Sequence, residues 1–260
     1  MRLPIHQVDA FTDHPFGGNP AAVMPLPEWL PDPLLQSIAK ENNLSETAFF
    51  VPEGAGYRLR WFTPMHEVDL CGHATLASAF IILTELHPAW PQVAFSSRSG
   101  PLAVHRDQDR FRMDFPSRPS RPAPVPQGLA EALGAQVLEA WQSTRDLLAV
   151  LDSERTVRDL QPDMGALVRL EPYTVVVTAK GETVDFVSRF FVPKGGIPED
   201  PVTGSAHSAL IPFWAERLGR RKLHALQVSP RGGELFCELQ GDRVDIAGKA
   251  VKVMQGAFIL

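Results

Sequence analysis

Two loops in this chain carry side chains able to handle a proton beside an anion. In the first, Glu67-Val68-Asp69-Leu70 leads into Cys71-Gly72-His73-Ala74. In the second, Glu199-Asp200-Pro201-Val202 leads into Thr203-Gly204-Ser205-Ala206. The second loop follows the first at a fixed offset of 132 positions, Glu67 to Glu199 and Gly72 to Gly204. Self-similarity at a fixed offset points to two related units. Each loop ends in glycine before an apolar run, the pattern of a helix that begins there. Helix N-termini attract anions through free N–H groups and the dipole. Two such units can close one cleft, each presenting a helix start to it. The eight histidines are scattered, with no His-Glu-x-x-His or Cys-x-x-Cys spacing, so no metal site is expected.

The flanking sequence supplies elements to hold these loops. A short strand is expected over 8–11, and Phe16-Gly17-Gly18-Asn19-Pro20 reads as a tight turn. Asp32-Pro33 reads as a helix start with Asp32 as N-cap, and Leu34, Leu35, Ile38 and Ala39 then recur at helical spacing. Strands are expected over 47–51 and at the alternating Tyr57, Leu59 and Trp61, with a hairpin over 102–115. Pro116, Pro119, Pro122, Pro124 and Pro126 exclude a helix or a central strand and read as an extended linker. The second half repeats the programme: strands over 174–178 and 184–192, then a helix over 206–218 ended by Gly219. Pro212 predicts a kink or a late start in that helix. The chain ends in strand signals over 226–229, 235–239 and 244–247. The expected domains are 1–115 and 116–260, with the final strand crossing back to the first.

Composition narrows the function. The chain has 260 residues, net charge −5 and no basic run, which argues against a nucleic-acid partner. Its longest apolar stretch, over 76–83, is too short to span a bilayer, and the N-terminus has no signal-peptide core. Two cysteines, Cys71 and Cys237, make no disulfide framework, so a reduced cytoplasmic setting is the simplest expectation.

Four blocks in order resemble the PhzF-like phenazine-biosynthesis isomerase family. They are Asp9-Ala10-Phe11 with Gly18-Asn19-Pro20-Ala21-Ala22-Val23; Asn43-Leu44-Ser45-Glu46-Thr47-Ala48-Phe49; Cys71-Gly72-His73-Ala74-Thr75; and Glu199-Asp200-Pro201-Val202-Thr203-Gly204-Ser205-Ala206-His207. The resemblance runs from Asp9 to Gly233. It implies an α+β fold of diaminopimelate epimerase type: two pseudo-symmetric domains, each a mostly antiparallel sheet curled around a central helix. It implies a homodimer and a cofactor-independent isomerase; the best-known member acts on trans-2,3-dihydro-3-hydroxyanthranilate. Glu46 then matches the general acid/base, where burial would raise a carboxylate pKa enough to remove and return one proton. On residue type alone a glutamate is most often solvated. His73 matches an assisting histidine, and its place at a helix start would depress its pKa. Asp200 matches a residue that orients substrate or shares its proton; an Asx-type turn before Pro201 is the plainer reading. Gly204 and Ser205, with Gly72 as first-copy counterpart, match the groups that hold a substrate carboxylate.

Other functions compete. Thiol-dependent racemases of this fold place one cysteine in each repeat. Here the counterpart of Cys71 is Thr203, whose hydroxyl is far too weak an acid for that chemistry. An amino-acid racemase or epimerase is therefore disfavoured. A catalytically silent metabolite-binding protein is the reading from another class, and intact Glu46, His73 and Asp200 argue against it.

Overall fold

The computed structural model describes residues 1–260. They group into two units, Met1–Asp114 with Ala247–Leu260, and Phe115–Ile246. The first contains β1 (Arg2–Ala10), β2 (Asn19–Pro25), α1 (Asp32–Asn42), β3 (Glu46–Glu53), β4 (Gly56–Phe62), β5 (Glu67–Val68), α2 (Gly72–Ile81), β6 (Gln92–Ser97) and β7 (Gly100–Asp107). The chain passes to the second unit within β8 (Arg110–Pro116). Beyond it lie β9 (Arg121–Ala123), α3 (Leu129–Leu133), β10 (Glu139–Gln142), β11 (Leu147–Val150), α4 (Glu154–Asp159) and α5 (Met164–Arg169). Next come β12 (Val175–Lys180), β13 (Phe186–Val192), β14 (Ile197–Asp200), α6 (Gly204–Leu218), β15 (Lys222–Gln227) and β16 (Glu234–Gln240). The chain returns within β17 (Arg243–Gly248) and ends in β18 (Ala250–Ile259). The class is α+β, and no helix is long and apolar enough to cross a membrane.

The two units share one connectivity. In the first, β2 runs parallel to β3, and β3 antiparallel to β4. Then β4 lies antiparallel to β5 and parallel to β6, and β6 antiparallel to β7. In the second, β11 runs parallel to β12, and β12 antiparallel to β13. Then β13 lies antiparallel to β14 and parallel to β15, and β15 antiparallel to β16. Parallel neighbours need a crossover. Helices α1 and α2 make the crossovers of the first unit; α4 with α5, and then α6, make those of the second. Terminal strand β18 pairs with β1 along its whole length.

Helices α2 and α6 are apolar nearly all round, as central helices must be. Ala74, Leu76, Ala77, Ala79 and Ile81 of α2 are buried, and the helix packs on β1, β2, β3 and β7. Ala206, Leu210, Ile211 and Trp214 of α6 are buried, and it packs on β15 and β16. Leu35, Ile38, Met24, Phe49 and Phe62 fill a second layer under α1. Around Phe191, Val177 and Leu151 a matching cluster lies under α4 and α5.

One arginine in each unit fixes the loop that starts the central helix. Arg60 on β4 grips Glu67 on β5 with both ends of its fork, Nε–Oε1 2.7 Å and Nη2–Oε2 2.8 Å. Arg189 on β13 grips Glu199 on β14 in the same way, at 2.7 and 2.8 Å. The remaining nitrogen ties in a crossover helix. Arg60 Nη1 donates to Asp32 at the start of α1 at 2.8 Å, and Arg189 Nη1 donates to the Leu160 carbonyl just past α4 at 2.9 Å. Each guanidinium also stands 5.1 Å from the ring two residues on, Phe62 or Phe191. Bidentate guanidinium–carboxylate pairs are strong and directional.

Three local expectations change. Asp32 is inside α1 rather than its N-cap, which is Pro31, because its carboxylate serves Arg60 instead of the helix backbone. The proline-rich segment contains a strand after all: β9 pairs antiparallel with β10, where the paired positions of an edge need few donors. Helix α6 begins at Gly204 and runs through Pro212 to Leu218. Pro212 cannot donate to the carbonyl of Ser208, four residues earlier. Arg118 N–H fills that place at 2.8 Å, so a linker residue supports the helix that a proline would weaken.

Replacing Arg189, itself 8% exposed, by leucine leaves Glu199 a part-buried charge without its fork. The expected loss in urea unfolding is about 3 kcal/mol or more. Arg60 hydrogen-bonds Glu67 and holds its carboxyl below the ordinary value of 4.5. A depressed carboxyl pKa contributes stability that is full above 4.5 and fades as pH falls through the lower folded value. Arg60→Leu should therefore reduce stability at pH 7 and flatten the acid limb of the stability profile.

Candidate active site

In the first unit the active candidates meet at the ends of three elements. Asn19 opens β2, Glu46 opens β3, and Cys71 is the N-cap of α2, followed by Gly72 and His73. Parallel pairing of β2 with β3 sets Glu46 beside Ala21, two residues after Asn19. The turn before Asn19 requires glycine: Gly18 has φ +60°, and a Cβ there would lie 2.1 Å from the Ala10 carbonyl oxygen. That geometry delivers the Asn19 side chain inward, fully buried.

His73, 4% exposed, is the hub. Its Nε2 stands 3.2 Å from Glu46 Oε2, its Nδ1 3.1 Å from the Asn19 amide nitrogen, and its Nδ1 3.5 Å from Cys71 Sγ. Glu46 is partly accessible, its side chain 16% exposed, although Oε2 itself is buried. Burial alone would push the His73 pKa down. The Cys71 sulfur and the Glu46 carboxylate outweigh burial and hold the imidazole well above 6.5. Burial first, and then the Glu46 charge, push the Cys71 thiol up to about 11. The depressed His73 pKa expected from the helix dipole is thus corrected: a carboxylate 3.2 Å away exceeds a helix end.

In the second unit Asp200 ends β14, Thr203 is the N-cap of α6, and Gly204 and Ser205 form its first turn. Thr203 Oγ1 donates to Asp200 Oδ2 at 2.5 Å. Gln227, at the end of β15 and buried, braces this loop from behind. Its Oε1 accepts from Thr203 N at 2.8 Å and its Nε2 donates to the Asp200 carbonyl at 2.7 Å. Ser205 Oγ accepts from Arg145 Nη1 at 3.1 Å. His207 is fully buried; its Nδ1 donates to the Thr203 carbonyl at 2.9 Å, and burial pushes its pKa down to about 4. Thr75, its first-unit counterpart, donates to the Cys71 carbonyl at 2.5 Å. The same helix position back-bonds the N-cap in both units, with different chemistry.

Glu46, Gly72 and His73 thus come together in one unit, and Asp200, Gly204 and Ser205 in the other. Sequence reading missed Asn19, Gln227 and Arg145 as site residues. Asn19 had a signal, its place in Gly18-Asn19-Pro20; Gln227 and Arg145 are distant in sequence from the loops they touch and had none.

The phenazine biosynthesis-like protein family model, PhzC-PhzF, matches residues 8–256. An uncharacterized isomerase of Pseudomonas aeruginosa is 53% identical over 260 residues, covering all of both chains. The crystal structure of a PhzF-family phenazine biosynthesis protein from Enterococcus faecalis superposes with a TM-score of 0.98 at 50% identity, again over all of both chains. A hydroxyproline epimerase from Agrobacterium vitis shares the fold alone, with a TM-score of 0.62 at 10% identity over 98% of this chain and 92% of that one. The chain belongs to the PhzC/PhzF family of phenazine biosynthesis-like proteins.

The charge arrangement has a direct readout. The His73 ring resonances should titrate above 6.5 in wild type, and Glu46→Gln should move that midpoint down, because the facing charge is removed. Stability from a raised histidine pKa is full below 6.5 and lost as pH rises through the folded value. Glu46→Gln should reduce that dependence; an unmoved His73 midpoint would contradict the assignment of Glu46 as its charge partner.

Proposed function

We propose that this protein is a cofactor-independent isomerase that moves a proton between carbons of a small carboxylate-bearing substrate. The observation that carries this reading is the Glu46–His73 contact at 3.2 Å, inside a buried cluster whose carboxylate keeps partial access to solvent. Glu46 removes a proton from an activated carbon. The electron pair left behind shifts the double bond, and the protonated Glu46 returns the proton to a second carbon. His73 assists by holding positive charge beside the carboxylate. Asp200 orients the substrate, and the N–H groups at Gly72, Gly204 and Ser205 bind its carboxylate. Support comes from the isomerase name of the 53% identical relative and from the sequence blocks that carry these residues. A dihydroanthranilate-type acid is the first substrate to try. The family resemblance brings a homodimer and a cytoplasmic setting into the same proposal.

A two-thiol racemase fits less well. Cys71 holds its proton up to about 11, and the Thr203 hydroxyl at the matching N-cap is committed to Asp200.

Glu46→Gln should abolish turnover while leaving fold and ligand binding nearly intact, since the amide has the shape but cannot relay the proton. General acid–base catalysis contributes about 10²–10⁴-fold, and a step resting on one carboxylate loses at least that. Cys71→Ser should cost much less. Turnover in deuterated water should label the reprotonated carbon to the extent that Glu46 exchanges its proton with solvent. A dead Cys71→Ser beside an active Glu46→Gln would replace this mechanism with a thiol one.

A further inference from the structure

The proton-moving cluster has a property that isomerisation leaves unused. We propose that Glu46, Cys71 and His73 form a binding site for one divalent cation of the Zn²⁺ class, and that occupancy switches the isomerase off. The binding half stands on geometry; the inhibitory half rests on the function proposed above.

The three residues each offer a ligand atom, and these atoms all lie within 4.8 Å of one another. Zn²⁺ binds imidazole nitrogen and carboxylate oxygen at about 2.0–2.2 Å and thiolate sulfur at about 2.3 Å. A tetrahedral ion with such bonds sets ligand-to-ligand edges of about 3.3 Å for nitrogen to oxygen and about 3.6 Å for nitrogen to sulfur. Here Nε2 of His73 is 3.2 Å from Glu46 Oε2 and 4.0 Å from Cys71 Sγ. The first edge is already at the length an ion would set, and the second needs only a small side-chain rotation.

The donor set names the cation. One sulfur, one nitrogen and one oxygen suit a borderline-soft ion and disfavour Mg²⁺ or Ca²⁺, which take oxygen donors. Three protein ligands leave a fourth position for water. A second observation points to a cation at this place. Oε2 of Glu46 is buried, and its neighbour at 3.2 Å is Nε2 of His73. A cation seated between them would take the place of the Nε2 proton and keep that buried oxygen satisfied. The supporting shell is also present. Asn19 meets the other ring nitrogen, Nδ1, at 3.1 Å. An amide can present its oxygen there, accept the Nδ1 proton and aim Nε2 at the metal, as partners of metal-bound histidines do.

Binding breaks the Cys71 S–H bond and forms a metal–sulfur bond. The thiol proton and the Nε2 proton of His73 go to solvent, and no electron is transferred. Glu46 then gives its lone pair to the metal and cannot accept a proton from carbon.

The test is titration of the metal-free protein with Co²⁺, a spectroscopic stand-in, and with Zn²⁺ by calorimetry. Wild type should bind one equivalent and show intense tetrahedral Co²⁺ bands with a thiolate-to-cobalt charge-transfer band in the near ultraviolet. Cys71→Ser and Cys71→Ala, checked by circular dichroism, should lose that band and weaken Zn²⁺ binding by more than about tenfold. Cys237→Ser, a buried thiol on β16, should keep both. Absence of binding in wild type, or a charge-transfer band that survives Cys71→Ser, would overturn the site. On a true substrate, saturating Zn²⁺ should abolish turnover and a chelator should restore it. Full turnover with Zn²⁺ bound would overturn the inhibitory half alone. A protein that binds Zn²⁺ as expected but turns over no substrate would instead count against the isomerase reading.

Discussion

The grip of a strand arginine on the glutamate of the next short strand is the constraint on which the rest of this fold depends. Arg60–Glu67 and Arg189–Glu199 each join three elements: the arginine's own strand, the short strand beyond the loop, and a crossover helix. A fork that makes parallel hydrogen bonds fixes direction as well as distance. The short strands β5 and β14 have few ladder bonds of their own, so the ion pair determines where each ends. Just beyond each strand lies the N-cap of a central helix, and with it Cys71, Gly72 and His73 in the first unit and Thr203, Gly204 and Ser205 in the second. A lysine in place of either arginine would keep the charge and lose the second and third contacts.

Given two equivalent helix starts, the units diverge where chemistry requires it. The N-cap is Cys71 in one and Thr203 in the other; the second helical residue is His73 in one and Ser205 in the other. In the first unit the side chains form a charged cluster under partial cover. In the second they form a hydrogen-bonded frame, with Gln227 holding Thr203 and Thr203 holding Asp200. The asymmetry begins upstream, since the strand matching β3 opens at Val175 and has no glutamate there. One unit therefore carries titratable groups in mutual contact, and the other carries oriented donors and acceptors. A duplicated scaffold supplied the positions, and single-residue differences divided the labour.

Much of this was legible because it is local. The offset of the two loops, the glycine that starts each helix and the alternation in β4 are all short-range patterns that sequence periodicity records. Glu46, His73, Asp200, Gly72, Gly204 and Ser205 stood inside motifs, so they could be named. The clamps were half visible: Arg60-Trp61-Phe62 and Arg189-Phe190-Phe191 repeat as the glutamates do, yet only pairing across a strand shows that they meet. Long-range support was not legible. Nothing near Pro212 indicates that Arg118 would take up the carbonyl it frees, and nothing near Thr203 indicates Gln227. The direction of the His73 shift was misread for a related reason. A helix end is visible in sequence, whereas a carboxylate brought from residue 46 is a product of folding.

That direction matters for how one carboxylate could serve as both base and acid. His73 is held toward its charged form by the sulfur and the carboxylate beside it, so its charge sits against a partner, as a largely buried site requires. In the proposed reaction, Glu46 would take a proton from carbon, losing its charge as the substrate gains one. In that proposed step a charged His73 would face a neutral acid on one side and a developing anion on the other. The same fixed charge would stabilise first the carboxylate and then the proposed intermediate. Fixed charge of this kind costs no reorganisation at the moment of reaction. In that proposal a neutral imidazole could only orient Glu46, whereas a charged one would also lower the barrier. Asn19 completes the arrangement by meeting the ring at its far nitrogen at 3.1 Å, which fixes the imidazole against Glu46.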